Sequence, residues 1–155
     1  MTNYIADPNF RTLLRVDTLL VLGLMLMSNY TSVLRLRRNV FATPEDYALN
    51  RIALPEPTQP STARELEEPV GRARRIHANH LENVLPFLVL SVLYALTEPG
   101  PGLFAGLLWT FLIARVLYTA FYVRAAQPHR TIAYAVGALI QLALAILTFS
   151  ATFTG

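Results

Sequence analysis

Apolar residues run almost unbroken through four stretches of this chain, with polar sequence between them. The first covers 13–34 and contains "LLVLGLMLM". The second covers 81–96, and its polar lead-in from Arg75 extends the helix to 75–97. The third, "LFAGLLWTFLIARVLYTAFYV", covers 103–123, and the fourth covers 131–153. Each approaches the ~20 residues that cross a ~30 Å hydrocarbon layer. Helices of a soluble bundle would carry a polar face along their whole length. The fourth stretch offers only Gln141 and small hydroxyl residues among its apolar ones. The pattern predicts an all-α fold, an integral membrane four-helix bundle forming a single domain over 1–155.

The connections differ in length. A polar loop over 35–73 includes Pro55, Pro57, Pro60 and Pro69, which disfavour regular structure. The other two are short, "TEPGPG" at 97–102 and "RAAQPHR" at 124–130. Asp7 precedes Arg11 and Arg15, and no small-residue cleavage site follows a short apolar core. The first helix is therefore expected to stay rather than be removed as a signal peptide.

Composition sharpens this picture. Charged residues make up 15% of the chain, against roughly 25% in soluble domains. The absence of cysteine excludes disulfides, a thiol nucleophile and Cys-based zinc sites. The pI near 9.6 would suit nucleic acid, but the arginines cluster beside apolar runs and read as membrane topology, with no nucleic-acid partner. Eight arginines lie between 35 and 75, and Arg124 and Arg130 flank the third connection, whereas 97–102 has no basic residue. The positive-inside rule then makes 35–73 a cytoplasmic loop and turns both termini away from the cytosol. The lack of Lys and the short tails favour a bacterial inner membrane over the endoplasmic reticulum.

Polar groups inside the spans are the candidate chemistry, because intramembrane ionisable residues are costly. On a helix, Arg72, Arg75, Asn79 and Glu82 share one face and His77 and His80 another. The first face suits a zwitterionic ligand, with Arg taking a carboxylate, Glu an ammonium and Asn an amide. The histidines with one offset Glu are a weak metal signal, and no metal site is assigned. In the third helix Arg115 sits mid-span near Tyr118, Thr119 and Tyr122. It requires an internal partner, Asp17 or Glu82, and a structural ion pair is preferred to catalysis. The tyrosines also fit an interfacial aromatic belt. Arg130, Thr131 and Tyr134 open the fourth helix, where free N–H groups and the dipole favour anions. Arg130 there is either a thiolate-activating cation or a topology anchor.

Three segments resemble the MAPEG family, the membrane-associated proteins in eicosanoid and glutathione metabolism. They are "RLRRNVFATPEDYAL" (35–49), "RRIHANHLENVLPFL" (74–88) and "ARVLYTAFYVRAAQPHRTIAY" (114–134). The resemblance implies a homotrimer that binds glutathione between neighbouring subunits at the cytoplasmic side. Carried over by position, Arg35, Arg75, Asn79, Glu82, Tyr122, Arg130 and Tyr134 match glutathione-contacting positions. Arg130 is the one placed against the thiol, with Thr131 retaining a hydroxyl beside it. Asp46 matches an acid that assists chemistry in prostaglandin-forming members, and Arg72 and Arg115 match recurrent basic positions. Departures are Ala78 for an Arg, His80 for an Asp and Tyr118 for a His, with Tyr118 kept in the ligand-contacting set. The expected activity is conjugation of the glutathione thiolate to lipophilic electrophiles delivered from membrane lipids, together with reduction of lipid hydroperoxides. The alternatives are an endoperoxide isomerase and a non-catalytic lipid-binding member.

Overall fold

A computed structural model describes residues 4–41, 43–52 and 60–153. After a 3-10 turn at Tyr4–Ala6, the helices are α1 (Pro8–Arg38), α2 (Pro44–Leu49), α3 (Pro60–Ala95), α4 (Pro101–Val123) and α5 (His129–Ala151). All regular structure among the described residues is helical.

Local chemistry sets the ends. Asp7 caps α1 by accepting from Asn9 N (2.6 Å) and Phe10 N (3.3 Å), with Pro8 in the first turn. Asn39 then adopts a left-handed conformation (φ 53°), and Val40 N donates back to Arg35 O (3.1 Å). Arg35, Arg37 and Arg38 lie in that last turn, at the negative end of the helix dipole. Thr43 caps α2, accepting from Asp46 N at 3.4 Å.

The longest departure from expectation is α3, which begins at Pro60 rather than 75. Much of the expected 35–73 loop is helix, and Pro55 and Pro57 lie outside the described residues. The fifteen residues from 60 to 74 extend α3 by about 22 Å at 1.5 Å per residue. Two features permit this. Pro60 occupies the first helical position, where no N–H is required. Glu68 then bonds Arg72 (3.0 Å) one turn on and Arg75 (3.3 Å) two turns on. Pro69 and Pro86 lie inside the helix, each leaving one carbonyl without its usual partner; for Pro86 this is the carbonyl of Glu82. The other ends move by at most five residues: α1 spans 8–38 against 13–34, α5 spans 129–151 against 131–153, and α4 ends at 123 as expected.

Short connections make α3, α4 and α5 antiparallel neighbours, and α1 packs against α3 and α4. The core is dry and aromatic: Phe87, Phe104, Phe111, Leu108, Val84, Val16 and Leu144 are fully buried. Phe87 and Phe111 stack with centroids 3.8 Å apart. Gln141 Nε2 ties α5 to the Asn83 carbonyl of α3 at 3.0 Å. The outside is also apolar, with Leu26 68%, Val116 60% and Leu139 64% exposed. Both α4 and α5 are long and apolar enough to cross a membrane. Charge on α4 is confined to Arg115 and on α5 to its first turn.

Candidate functional site

Three helices deliver polar side chains to the Arg-rich end of the bundle. Arg72, Arg75 and Asn79 come from one face of α3. Arg115, Tyr118, Thr119 and Tyr122 descend α4, and Arg130, Thr131 and Tyr134 open α5.

Arg72 Nη1 donates to the Tyr122 carbonyl at 3.3 Å, joining α3 to the end of α4. Glu68 accepts from Arg72 and Arg75 together, and these bonds hold its carboxyl below the usual carboxylate range. Arg130 lies over the Tyr122 ring, guanidinium carbon 4.4 Å from the centroid. With its amide oxygen turned to Arg130, Gln127 accepts from Nη2 (2.5 Å) and Nε (3.1 Å) and donates to Thr131 Oγ1 (3.0 Å). Arg130 and Thr131 are therefore braced by one side chain. Tyr118 joins this group, its ring 5.5 Å from Tyr122 and 6.3 Å from Tyr134.

Beneath this corner lies Arg115, 1% exposed. The sequence reading paired it with Asp17 or Glu82, and the structure corrects this. Nη1 donates to the neutral Asn79 Oδ1 at 3.2 Å, while Nε and Nη2 have no hydrogen-bond partner. Asp17 Oδ2 instead accepts from Ser91 at 3.0 Å. Ser91 lies twelve residues along α3 from Asn79, or about 18 Å of helix rise. Glu82 is exposed and forms no ion pair among the described residues. The guanidinium is held by rings instead, 5.1 Å from Tyr118, 5.4 Å from Phe111 and 5.8 Å from Tyr134. Gly137 makes the room: a Cβ there would lie 2.6 Å from Arg115 Nη2.

The remaining sequence candidates divide. Arg35 is not at this corner. It lines a separate polar cleft of about 250 Å³ between α1 and α3, with Arg74, His77 and the hydroxyl residues Ser28, Thr31 and Ser32. Asp46 is in the first turn of α2, its backbone N–H capped by Thr43 and its carbonyl accepting from Asn50 Nδ2 (2.7 Å). The histidines part as well: His80 Nε2 meets Thr119 Oγ1 at 2.7 Å, whereas His77 faces the Arg35 cleft.

One corner thus gathers guanidinium groups, tyrosine rings and an amide within a bundle of apolar exterior, an arrangement suited to an anionic peptide. A profile of the MAPEG family matches residues 16–150. The chain belongs to the MAPEG family. Microsomal glutathione S-transferase 1 of Homo sapiens is 33% identical over 146 residues, which cover 94% of this chain and 92% of that protein. The Bos taurus protein of that name is 36% identical over 132 residues, covering 83% and 81%. Prostaglandin E synthase of Homo sapiens is 32% identical over 145 residues, covering 92% and 90%. Membership confirms the resemblance drawn from 35–49, 74–88 and 114–134.

Within this MAPEG chain, some of the corner escaped sequence reading. Glu68 was legible in principle, since it stands four residues before Arg72. Gln127 and Gly137 were not, because nothing local says what each would face.

Proposed function

We propose that this protein is a membrane-bound glutathione transferase. Four spans cross the bilayer, α1, the apolar part of α3, α4 and α5, and three chains assemble with glutathione between neighbours. The observation that carries the reading is the braced Arg130 at the start of α5, stacked on Tyr122 beside the Arg72–Arg75–Asn79 face.

Arg75, Arg72, Asn79 and the exposed Glu82 hold the peptide, Glu82 taking its ammonium and the arginines its carboxylates. Tyr118, Tyr122 and Tyr134 wall the site. Arg35 faces a different cleft from Arg75, which fits a site completed by a neighbouring chain, with Asp46 approaching from α2. Arg130 and the helix dipole favour the thiolate over a thiol whose free pKa is near ~8.5. The thiol loses its proton to solvent, the sulfur attacks an electrophilic carbon arriving from the bilayer, and the S–C bond forms as the leaving group departs. Thr131 donates to the thiolate. The membrane is proposed to be a bacterial inner membrane.

The test is turnover of the purified protein with glutathione and an aryl halide, with a lipid hydroperoxide and a prostaglandin endoperoxide in parallel. Conjugation is expected to be the fastest of the three. The endoperoxide arm is included because prostaglandin E synthases are among the relatives. Isomerisation without conjugation would replace this reading with that one. Native mass spectrometry in mild detergent should give three subunits, and a monomer with full glutathione affinity would remove the shared site.

A further inference from the structure

Along one face of α3, Glu68, Arg72, Arg75, Asn79 and Glu82 follow one another at spacings of four, three, four and three. Both ends of this face are acidic. Arg75 stands seven residues from each end, about 10.5 Å of helix rise either way. Its guanidinium can turn back to Glu68 or forward to Glu82, and the structure shows one choice. Arg75 Nη2 donates to both carboxylate oxygens of Glu68 at 3.3 Å, and Arg72 Nη2 donates to Oε1 at 3.0 Å. Glu82 stays exposed, with no ion pair among the described residues.

Two local causes set that direction. Helix side chains lean toward the N-terminus, so an arginine meets an acid that precedes it more readily than one that follows. Gly71 then clears the path. A Cβ there would lie 3.3 Å from Arg75 Nη1, so the guanidinium lies over bare backbone on its way to Glu68. Among the described residues no other carboxylate bonds Arg72 or Arg75. The Glu68 carboxyl is exposed and held below the usual carboxylate range by these two arginines, so it is ionised at neutral pH. It sits on the same two cations that the proposed function gives to the carboxylates of glutathione.

We infer, resting on the glutathione reading of this corner, that Glu68 is a built-in competitor for the ligand: it occupies Arg72 and Arg75 until a carboxylate of the peptide displaces it. Displacement exchanges one carboxylate for another on the same guanidinium groups. The arginines therefore add to affinity only the difference between the two pairings. The pairing also leaves Glu82 without a cation, free to take the ammonium of the same ligand. Removing the Glu68 charge then tightens binding. A residue that merely ordered the two arginines would have the opposite sign, because its loss would weaken binding.

Glutathione is titrated calorimetrically into the full chain in mild detergent, at neutral pH and low salt, for wild type, Glu68→Gln and Glu98→Gln. Glu68→Gln should bind at least about threefold more tightly, the scale of two exposed ion pairs removed from competition. Glu98 follows the far end of α3. Glu98→Gln therefore removes the same charge far from the arginines and should match wild type. Glu68→Ala, which suits a helix, should repeat the gain and carries the test should Glu68→Gln not fold. Weaker or unchanged binding in the folded Glu68 variant, with wild type binding, overturns the inference and leaves the glutathione reading in place. Equal tightening in Glu98→Gln overturns it too, since net charge alone would then account for the gain. Glutathione binding by neither wild type nor the Glu68 variants overturns both.

Discussion

The interface between α3 and α4 has two ends built on opposite principles. At one, Phe87 and Phe111 stack 3.8 Å apart, fully buried, with no polar atom to satisfy. At the other, one turn of α4 further on, Arg115 is just as buried yet has one neutral partner and two nitrogens without any. The first end gains from every contact it makes. The second carries a desolvated charge that an apolar residue of the same size would avoid. Stability therefore resides in the aromatic end, and the polar end is the one proposed to bind a ligand.

The largest test of that division is Phe111→Ala. Truncating a fully buried Phe costs about 3–5 kcal/mol, so thermal unfolding in detergent should drop sharply. Glutathione affinity of the fraction that remains folded should fall far less, since Phe111 is one of three rings against Arg115. An equal loss of affinity would mean the two ends are one cooperative unit.

Arg130→Leu is the reciprocal change. Turnover should fall about a hundredfold, or ~2.7 kcal/mol at ~1.4 kcal/mol per decade, with the melting temperature nearly constant. Ultraviolet titration of the bound thiolate should show its midpoint moving toward that of free thiol. An unmoved midpoint and rate would make Arg130 a topology anchor.

Glu82→Gln keeps shape and removes charge. Loss of one charge-assisted hydrogen bond, about 1.5–3 kcal/mol, predicts at least tenfold weaker glutathione binding by calorimetry. Unchanged binding in both Glu82→Gln and Arg75→Ala would eliminate the α3 face as the site.

Gly137→Ala probes the seam between the ends, since its Cβ would lie 2.6 Å from Arg115 Nη2. Overpacking of this kind costs about 1–3 kcal/mol. The guanidinium must move, so both stability and ligand affinity should change. A silent substitution would show that Arg115 is loosely held.

The smallest effect belongs to Glu68, whose carboxyl is held low by Arg72 and Arg75. A depressed carboxyl contributes stability above its ordinary titration range and loses it as pH falls through the folded-state value. Because Glu68 is fully exposed, wild type and Glu68→Gln should melt alike at neutral pH within error and be indistinguishable at acid pH.

Much of this was legible in the residues. Unbroken apolar runs located α1, α4 and α5 to within a few residues, because a membrane-length helix must hide its backbone and shows it in composition. Spacings of three and four put Arg72, Arg75, Asn79 and Glu82 on one face of a helix. The extent of α3 was misread because proline was weighed more heavily than the Glu68–Arg72–Arg75 pairing that follows it. The partner of Arg115 was misread because an ion pair was sought among residues bordering the spans. Their levels along the bundle, about 18 Å of α3 rise between Asn79 and the Ser91 that bonds Asp17, are invisible in one dimension.

By itself the sequence determined the helical class, the apolar exterior, the family and the set of charged groups that any site must use. These follow from periodicity, composition and local motif, which act over a few residues at a time. Only the tertiary structure decided which groups meet, Arg115 with Asn79 and Gly137 and Arg130 with Tyr122 and Gln127, and that Arg35 and His77 line one cleft. Such contacts depend on the relative rotation and height of packed helices, set by the volume of side chains such as Phe87 and Phe111 across the whole core.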